Sequence, residues 1–243
     1  MIDVQRIDRV VHLRIDVPPV NVLDAAALRE LAGCLREVAG DDGVAAVLLS
    51  GAGRCFSAGA SVADHEAAKA PGMIEALADV CTTLESLPMV TVALVHGPCM
   101  GGGLEVAVYC DFVVADPSAT FGVPEITLAF FPPFANVRLP KLIGRQNAAY
   151  LALTGEAIDV DAAKAMGLVQ KVLERDAWGK MEARFNRLSL PVQRLAKEAL
   201  VKGLDGDLAT QKGLFIDRLY TIEDVKEGIA SFAEKRRPEW KHR

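Results

Sequence analysis

The chain's fold is decided by the stretch VTVALVHGPCMGGGLEVAVYC, residues 90–110. Its apolar start predicts a buried strand, and Leu104–Cys110 predict a buried helix. The glycines Gly101–Gly103 separate the two, so the helix can begin with bare backbone whose N–H groups face a ligand oxygen. Glu105 follows in apolar surroundings, where a carboxylate needs a partner or a chemical task. N–H donors beside an acid or base suit enolate chemistry on a carbonyl compound.

The same order of strand, irregular loop and helix is predicted on both sides of this stretch. The predicted strands are 44–49, 90–95 and 112–115, and the helices that follow them are 63–87, 104–110 and 136–153. Three such passes predict an α/β fold, with a parallel sheet, helices outside it and functional loops at the carboxyl ends of the strands. An earlier strand, 10–17, precedes a helix that Asp24 caps and that ends near Gly40. After Gly155 the pattern predicts helices only.

Composition excludes several function classes. The chain has 243 residues, a net charge of −5 and five scattered cysteines without a CxxC pair. An acidic chain lacks the basic face of a general nucleic-acid binder, and an odd number of unpaired cysteines fits free thiols in a reducing compartment. The N-terminus does not read as a signal peptide, and no apolar run is long enough for a membrane span. We therefore expect a cytoplasmic protein without nucleic-acid or membrane partners. The four histidines show no metal-ligand spacing, so no metal is expected.

Glu105 and Glu125 both lie between apolar strand and helix segments of successive repeats. Equivalent loops of a repeating α/β layout lie side by side, so the two carboxylates could flank one substrate as acid and base. Glu125 considered alone fits equally well as a strand-end residue bonded to backbone amides.

The loop 51–60 allows three interpretations. Cys55-Phe-Ser-Ala-Gly59 partly matches a nucleophile elbow, but its first residue is not glycine and no His/Asp pair accompanies it. Gly51-Ala-Gly53 begins a dinucleotide motif, but Phe56 stands where the third glycine belongs. The interpretation favoured here is that the loop supplies a second backbone N–H opposite the triple glycine, which gives a two-donor oxyanion hole.

Several segments together resemble the crotonase (enoyl-CoA hydratase/isomerase) superfamily over nearly the whole chain. They are PVNVLD (19–24), FSAGASV (56–62), HGPCMGGGLEVAVYCDFVVAD (96–116), FGVPEI (121–126), LTGEAIDVDAAKAMGLV (153–169) and FAEKRRPEW (232–240). The resemblance implies a spiral of repeated β-β-α units over residues 1–155, with the active-site loops, and a C-terminal all-helical region over 156–243 for packing and trimerisation. It also implies a homotrimer or a dimer of trimers.

The resemblance further implies a reaction. The N–H groups of Ala60 and Gly102 hold the thioester oxygen of an enoyl-CoA, Glu105 activates water, and Glu125 supplies a proton to the α-carbon. Coenzyme A is then part of the substrate, and no cofactor is required. The implied substrate-binding residues are Ala58, Ser61, Val62, Gly101, Phe130, Phe131, Pro133 and Phe134. Arg54 and Lys235, the latter in the basic tail, are candidate contacts of coenzyme A; a solvated basic end explains the tail equally well.

Two departures from the family pattern bear on the substrate. Ser61 stands where an aspartate is common, which alters hydrogen bonding near the pantetheine arm. Residues 130–134, Phe-Phe-Pro-Pro-Phe, replace a glycine-rich loop, so a stiff aromatic wall is expected around a flat or cyclic acyl group. This segment looks somewhat like that of cyclohexa-1,5-dienecarbonyl-CoA hydratases, although simple core filling would also account for it.

Four functions remain to be distinguished. The leading hypothesis is a hydratase, since both glutamates are present. An isomerase or decarboxylase of the same superfamily needs only one of them. An RNA-binding relative is disfavoured by the acidic balance, and an inactive scaffold subunit by the two retained carboxylates.

Overall fold

The computed structural model describes residues 1–204 and 206–243 and contains a central sheet with helices on both sides. The strands are β1 (Ile2–Ile7), β2 (Val10–Ile15), β3 (Val22–Leu23), β4 (Ala46–Gly51), β5 (Gly59–Ala60), β6 (Val90–Val95), β7 (Pro98–Met100), β8 (Phe112–Ala115), β9 (Thr120–Gly122), β10 (Ile158–Asp159) and β11 (Lys171–Val172). The α-helices are α1 (Ala25–Ala39), α2 (Ala70–Ser86), α3 (Gly102–Val108), α4 (Ala135–Thr154), α5 (Val160–Met166), α6 (Gly179–Asn186), α7 (Leu190–Gly203), α8 (Leu208–Gly213) and α9 (Glu223–Ala233).

The central sheet has the strand order β1-β2-β4-β6-β8-β11. β1 and β2 form an antiparallel hairpin, and the other neighbours pair in parallel. All six residues of β4 and five of the six in β6 are buried. Parallel strands covered on both faces have this continuously apolar character. The predicted parallel sheet is confirmed, with an antiparallel hairpin at its edge that the sequence analysis did not include.

Helix α1 shows how local sequence fixes an element. Asp24 caps its start by accepting a hydrogen bond from the Ala27 N–H at 2.7 Å, and Gly40 ends it. Leu28, Leu31 and Leu35 lie one turn apart and are fully buried in the main core. The prediction of this helix is confirmed at both ends.

Two small sheets bring the functional loops together. β3 pairs with β5, and β7 pairs with β9, which pairs in turn with β10. A further bridge joins Ser57 to Cys99, and the Met100 N–H donates to the Ser57 carbonyl at 3.0 Å. The loops that follow β4, β6 and β8 are thereby held against one another at the carboxyl ends of these strands.

The structure also differs from the sequence predictions at the start of α2 and after Gly155. α2 begins at Ala70 rather than near residue 63, because residues 62–65 form a separate 3₁₀ turn. The region after Gly155 is helical as predicted, except for the short strands β10 and β11. β11 is the edge strand of the central sheet and pairs in parallel with β8 through only two residues. So short a strand leaves no alternating pattern that the sequence could show.

No helix among the described residues combines the length and apolar character that crossing a bilayer requires.

Candidate active site

The three glycines allow a close approach between the loop after β6 and the loop after β4. Gly101 has a φ of +48°, and a Cβ there would lie 2.7 Å from Glu125 Oε1. A Cβ on Gly102 would lie 3.0 Å from the Ala60 Cβ and 3.2 Å from the Ala60 nitrogen. A Cβ on Gly103 would lie 2.6 Å from the Ser57 Cβ. Any larger residue would separate these segments, so the glycines are needed for the packing of the site.

The amides of Ala60 and Gly102 therefore lie at neighbouring positions. Gly102 is the first residue of α3, where the helix leaves its N–H groups without intrahelical partners. Ala60 ends β5, and the pairing of β5 with β3 fixes the direction of this strand. The two predicted N–H donors are thus brought together by separate elements and are not neighbours in the sequence.

Glu105 is buried, with 2% of its surface exposed. Its Oε1 accepts hydrogen bonds from the N–H groups of Phe134 and Ala135 at 2.7 and 2.8 Å, at the start of α4. Burial raises the pKa of Glu105 to about 7, the two amide hydrogen bonds oppose the rise, and the Glu125 carboxyl adds to it. A carboxyl in this condition can accept a proton near neutral pH.

Glu125 lies on the 3₁₀ turn Pro124–Leu128, across the cavity from α3. Its Oε1 faces Gly101, and its Oε2 is buried without a hydrogen-bond partner among the described residues. Burial raises the pKa of Glu125, while its own backbone N–H and the nearby His65 favour the charged form. A buried carboxyl oxygen without a partner favours the protonated, proton-donating state.

Both carboxyls line one cavity of about 420 Å³. The lining comes from the loop after β4, from α2, from the start of α3 and from the segment after β9. The residues are Ala58, Gly59, Ala60, Val62, His65, Ala70, Met73, Ile74, Leu77, Gly101, Gly102, Glu105, Pro124, Glu125, Leu128, Ala129, Phe130, Phe131 and Pro133. The site is a mainly apolar pocket with two carboxyls and a pair of converging backbone segments.

Most of the residues predicted from the sequence lie together in this lining. Ser61 and Phe134 do not line the cavity. The Ser61 carbonyl instead accepts a hydrogen bond at 2.8 Å from Nδ1 of His65. Phe134 packs its side chain against the core and contributes its N–H to Glu105. Both residues therefore hold side chains of the cavity wall in place, Ser61 through His65 and Phe134 through Glu105.

The two predicted coenzyme A contacts, Arg54 and Lys235, are exposed and lie outside the cavity lining. Part of the basic tail is paired with carboxylates of α9 and its surroundings: Arg236 with Glu227 and Arg243 with Glu223. The tail is therefore partly neutralised by its own chain. Among the described residues, no group of three or more His, Cys, Asp or Glu side chains could hold a metal ion.

The sequence analysis missed His65 and the apolar face of α2. Met73, Ile74 and Leu77 recur at helical spacing and were predicted only as helix. His65 follows Gly59 by six positions, and this closeness to the glycine-rich loop was the available signal. Its ring lies on the Phe130 ring with centroids 4.8 Å apart. That contact joins two loops far apart in sequence, so the sequence alone did not indicate it.

Comparisons with known proteins identify the family of the chain. The family model described as enoyl-CoA hydratase/isomerase matches residues 6–243. A Rhizobium meliloti (strain 1021) protein named "Probable enoyl-CoA hydratase" is 36% identical over 241 residues, covering 92% of this chain and 91% of the relative. The cyclohexa-1,5-dienecarbonyl-CoA hydratase of Thauera aromatica is 31% identical, covering 98% of this chain and 95% of the relative.

The fold is similar to that of a solved enoyl-CoA hydratase from Bacillus anthracis, with a TM-score of 0.89, 32% identity and coverage of 100% of this chain and 99% of that one. The family match spans nearly the whole chain and includes both glutamate-bearing segments. The chain belongs to the enoyl-CoA hydratase/isomerase family and is an enzyme of that family.

Proposed function

We propose that this enzyme is an enoyl-CoA hydratase-type lyase, which adds water across a C=C bond conjugated to a coenzyme A thioester. The observation that carries the proposal is the placement of Glu105 and Glu125 in one cavity, beside the neighbouring backbone of Ala60 and Gly102. A base, an acid and a pair of N–H donors are the groups that this addition requires.

In the proposed reaction the thioester oxygen accepts hydrogen bonds from the N–H groups of Ala60 and Gly102. These donors stabilise the negative charge that gathers on this oxygen as water adds to the β-carbon. An oxyanion donor of this kind is worth about 3–4 kcal/mol of transition-state stabilisation.

Glu105 is the proposed base. Its Oε1 is held by two amides, so Oε2 remains to accept a proton from the attacking water. The water oxygen bonds to the β-carbon, and the C=C electrons move toward the thioester. The proton of Glu125 then passes to the α-carbon, which leaves Glu125 ionised. These steps use neither a metal nor a redox cofactor, and coenzyme A enters only as part of the substrate.

The proposed acyl group is flat or cyclic, such as a ring-conjugated dienoyl thioester. Phe130, Phe131 and Pro133 line the cavity, and two neighbouring prolines limit the backbone freedom of this wall. The similarity to the Thauera aromatica cyclohexa-1,5-dienecarbonyl-CoA hydratase supports the same substrate class. Ala58, Val62 and Gly101, which also line the cavity, are the proposed contacts for the rest of the thioester.

The proposed assembly is a homotrimer or a dimer of trimers. Its support is the apolar surface of the C-terminal helices, where Leu204, Leu208 and Phe232 are each more than 70% exposed. Side chains of this size left in water favour burial against another copy. Sedimentation of the purified chain decides between one, three and six copies.

A panel of thioesters tests the proposed function. A ring-conjugated and a straight-chain enoyl-CoA are offered separately, and the absorbance of the conjugated thioester is followed. Hydration lowers this absorbance, and we expect the ring-conjugated substrate to react faster. A rise of absorbance from an unconjugated substrate would identify an isomerase instead. Glu105→Gln and Glu125→Gln serve as controls, since each removes one proton-transfer group without changing the volume of the side chain.

A further inference from the structure

His65 is held in a fixed orientation in the wall of the cavity. It ends the 3₁₀ turn Val62–His65, which directly follows Ala60 and Ser61. Because a carbonyl can only accept, the Nδ1 that lies 2.8 Å from the Ser61 carbonyl carries the proton. The other nitrogen, Nε2, makes no hydrogen bond with the described residues and is not enclosed by them. One ring nitrogen is thus fixed, and the other is available.

The Phe130 ring connects His65 to Glu125. The rings of His65 and Phe130 lie 4.8 Å apart at an interplanar angle of 52°. The Phe130 N–H donates to the Glu125 carbonyl at 3.0 Å. The histidine is therefore packed against the residue that closes the backbone turn carrying Glu125. His65 and Glu125 are thus connected through one intervening residue, Phe130.

His65 differs from the other titratable residues of the cavity wall in the sign of the charge that it can carry. Of the described residues that line it, three have titratable side chains: Glu105, Glu125 and His65. The residues of α2 in the lining are Ala70, Met73, Ile74 and Leu77, which are apolar. Beside His65 on the chain, Asp64 accepts a hydrogen bond from the Ala25 N–H, and Glu66 pairs with Lys69. Among the described residues of the lining, a positively charged side chain can therefore be supplied only by His65.

The Glu125 carboxylate needs a nearby group that stabilises its negative charge. Its Oε2 is buried without a partner among the described residues, and the proposed reaction leaves this carboxyl negatively charged after each proton transfer. A carboxylic acid releases its proton more readily where a nearby group stabilises the carboxylate left behind.

We propose that His65 is a positioning residue for Glu125: it stabilises the Glu125 carboxylate and holds the Phe130 wall against the turn that carries it. This inference rests on the proposed function, in which Glu125 donates a proton to the α-carbon. His65 does not touch the reacting atoms in this account and acts through Glu125.

Two substitutions separate the charge of His65 from its shape. His65→Phe keeps an aromatic ring against Phe130 and removes both ring nitrogens. His65→Gln removes the ring and keeps a neutral donor for the Ser61 carbonyl. If His65 only fills the wall, the phenylalanine variant behaves as the wild type. If it stabilises the Glu125 carboxylate, both variants change Glu125 in the same direction.

The first measurement needs no turnover. Glutamate labelled with ¹³C at the side-chain carboxyl is incorporated, and the Glu125 signal is identified by its loss in Glu125→Gln. We expect the titration midpoint of Glu125 to be about one pH unit higher in both His65 variants than in the wild type. An unchanged midpoint in His65→Phe would overturn the proposal. This titration gives an answer even if the wild type hydrates none of the thioesters, a result that would refute the proposed function instead.

The second measurement is a double-mutant cycle on kcat. We expect His65→Phe to lower kcat about tenfold in the wild type and to cause no further loss in Glu125→Gln, because its effect passes through Glu125. Ile74→Ala, a wall residue on α2, is the matched control and should change KM by the same factor in both backgrounds. An equal loss of kcat from His65→Phe in both backgrounds would show that His65 does not act through Glu125.

Discussion

Glu105 and Glu125 face the same cavity from segments of opposite construction. Every residue of α3 is buried, and Glu105 is fixed by two amides at the start of α4. In the turn Pro124–Leu128 the Glu125 Oε2 is enclosed, but Ile126 and Leu128 are 40% and 53% exposed, and Phe131 just beyond the turn is 66% exposed. The buried segment holds the proposed base alone, whereas the more open segment holds the proposed acid together with the acyl wall. A change of acyl wall is therefore expected to affect the proposed acid more than the proposed base.

The largest loss of activity is expected from a substitution in the buried segment, α3. Glu105→Gln removes the proposed base but keeps an oxygen that can accept from Phe134 and Ala135, so the fold is preserved. We expect kcat to fall by about 10⁴-fold, the upper range for loss of a general base. Steady-state hydration kinetics with an unchanged circular dichroism spectrum is the measurement. A fall in kcat of less than tenfold would contradict the role of Glu105 as the base.

A substitution in the more open segment, the turn Pro124–Leu128, is expected to lower kcat less. Glu125→Gln removes the proposed proton donor, and water can partly replace it because the neighbouring residues Ile126 and Leu128 are exposed. We expect a loss of kcat of about 10²–10³-fold, with a smaller change in KM. The same kinetics compares the two variants directly. A larger loss for Glu125→Gln than for Glu105→Gln would reverse the ranking of the two segments.

The contact between the loops of Ala60 and Gly102 comes next. Gly102→Ala places a methyl group 3.0 Å from the Ala60 Cβ, so the Ala60 amide must move by a few tenths of an ångström. We expect kcat/KM to fall by about 10–100-fold, because oxyanion donors depend on their geometry. Gly33→Ala on α1, where a Cβ would meet nothing within 4 Å, is the control. It should keep full activity and gain up to about 1 kcal/mol of stability. Full activity in Gly102→Ala would argue against the oxyanion pair.

The burial of Glu105 should also be visible in stability. Its folded pKa of about 7 lies above the ordinary value of 4.5, so the folded state binds more protons between these two pH values. Stability from this group is present below pH 4.5 and is lost as the pH rises through 7. Relative to the wild type, Glu105→Gln should therefore gain about 3 kcal/mol between pH 4.5 and pH 8. Urea unfolding of both proteins at the two pH values measures this gain, and equal pH dependence would contradict the burial argument.

Much of the fold could be predicted from short-range patterns. Asp24, Gly40 and the leucines between them define α1, and continuous apolar runs define β4 and β6. These signals are local, because caps and periodicity act within one or two turns. The start of α2 was predicted about seven residues early, because residues 62–65 form a separate 3₁₀ turn, in which Asp64 accepts a hydrogen bond from the distant Ala25 N–H.

The candidate site was predictable only in part for the same reason. The motifs gave both glutamates and the backbone of Ala60 and Gly102, because these residues belong to recognisable segments. The hydrogen bonds that hold Glu105 come from residues about thirty positions away. The contact between His65 and Phe130 joins residues 65 positions apart and depends on packing. Such long-range contacts carry no local pattern, so they became apparent in the structure alone.

The origin of the product's atoms shows whether the site adds water or only moves protons. A conjugated enoyl-CoA is incubated with the wild-type enzyme in ¹⁸O-labelled water and, separately, in D₂O, and the products are analysed by mass spectrometry. We expect one labelled oxygen on the β-carbon and one deuterium on the α-carbon, and we expect Glu105→Gln and Glu125→Gln to incorporate both labels more slowly than the wild type. A product that carries deuterium without labelled oxygen would contradict hydration and show that the site only moves protons.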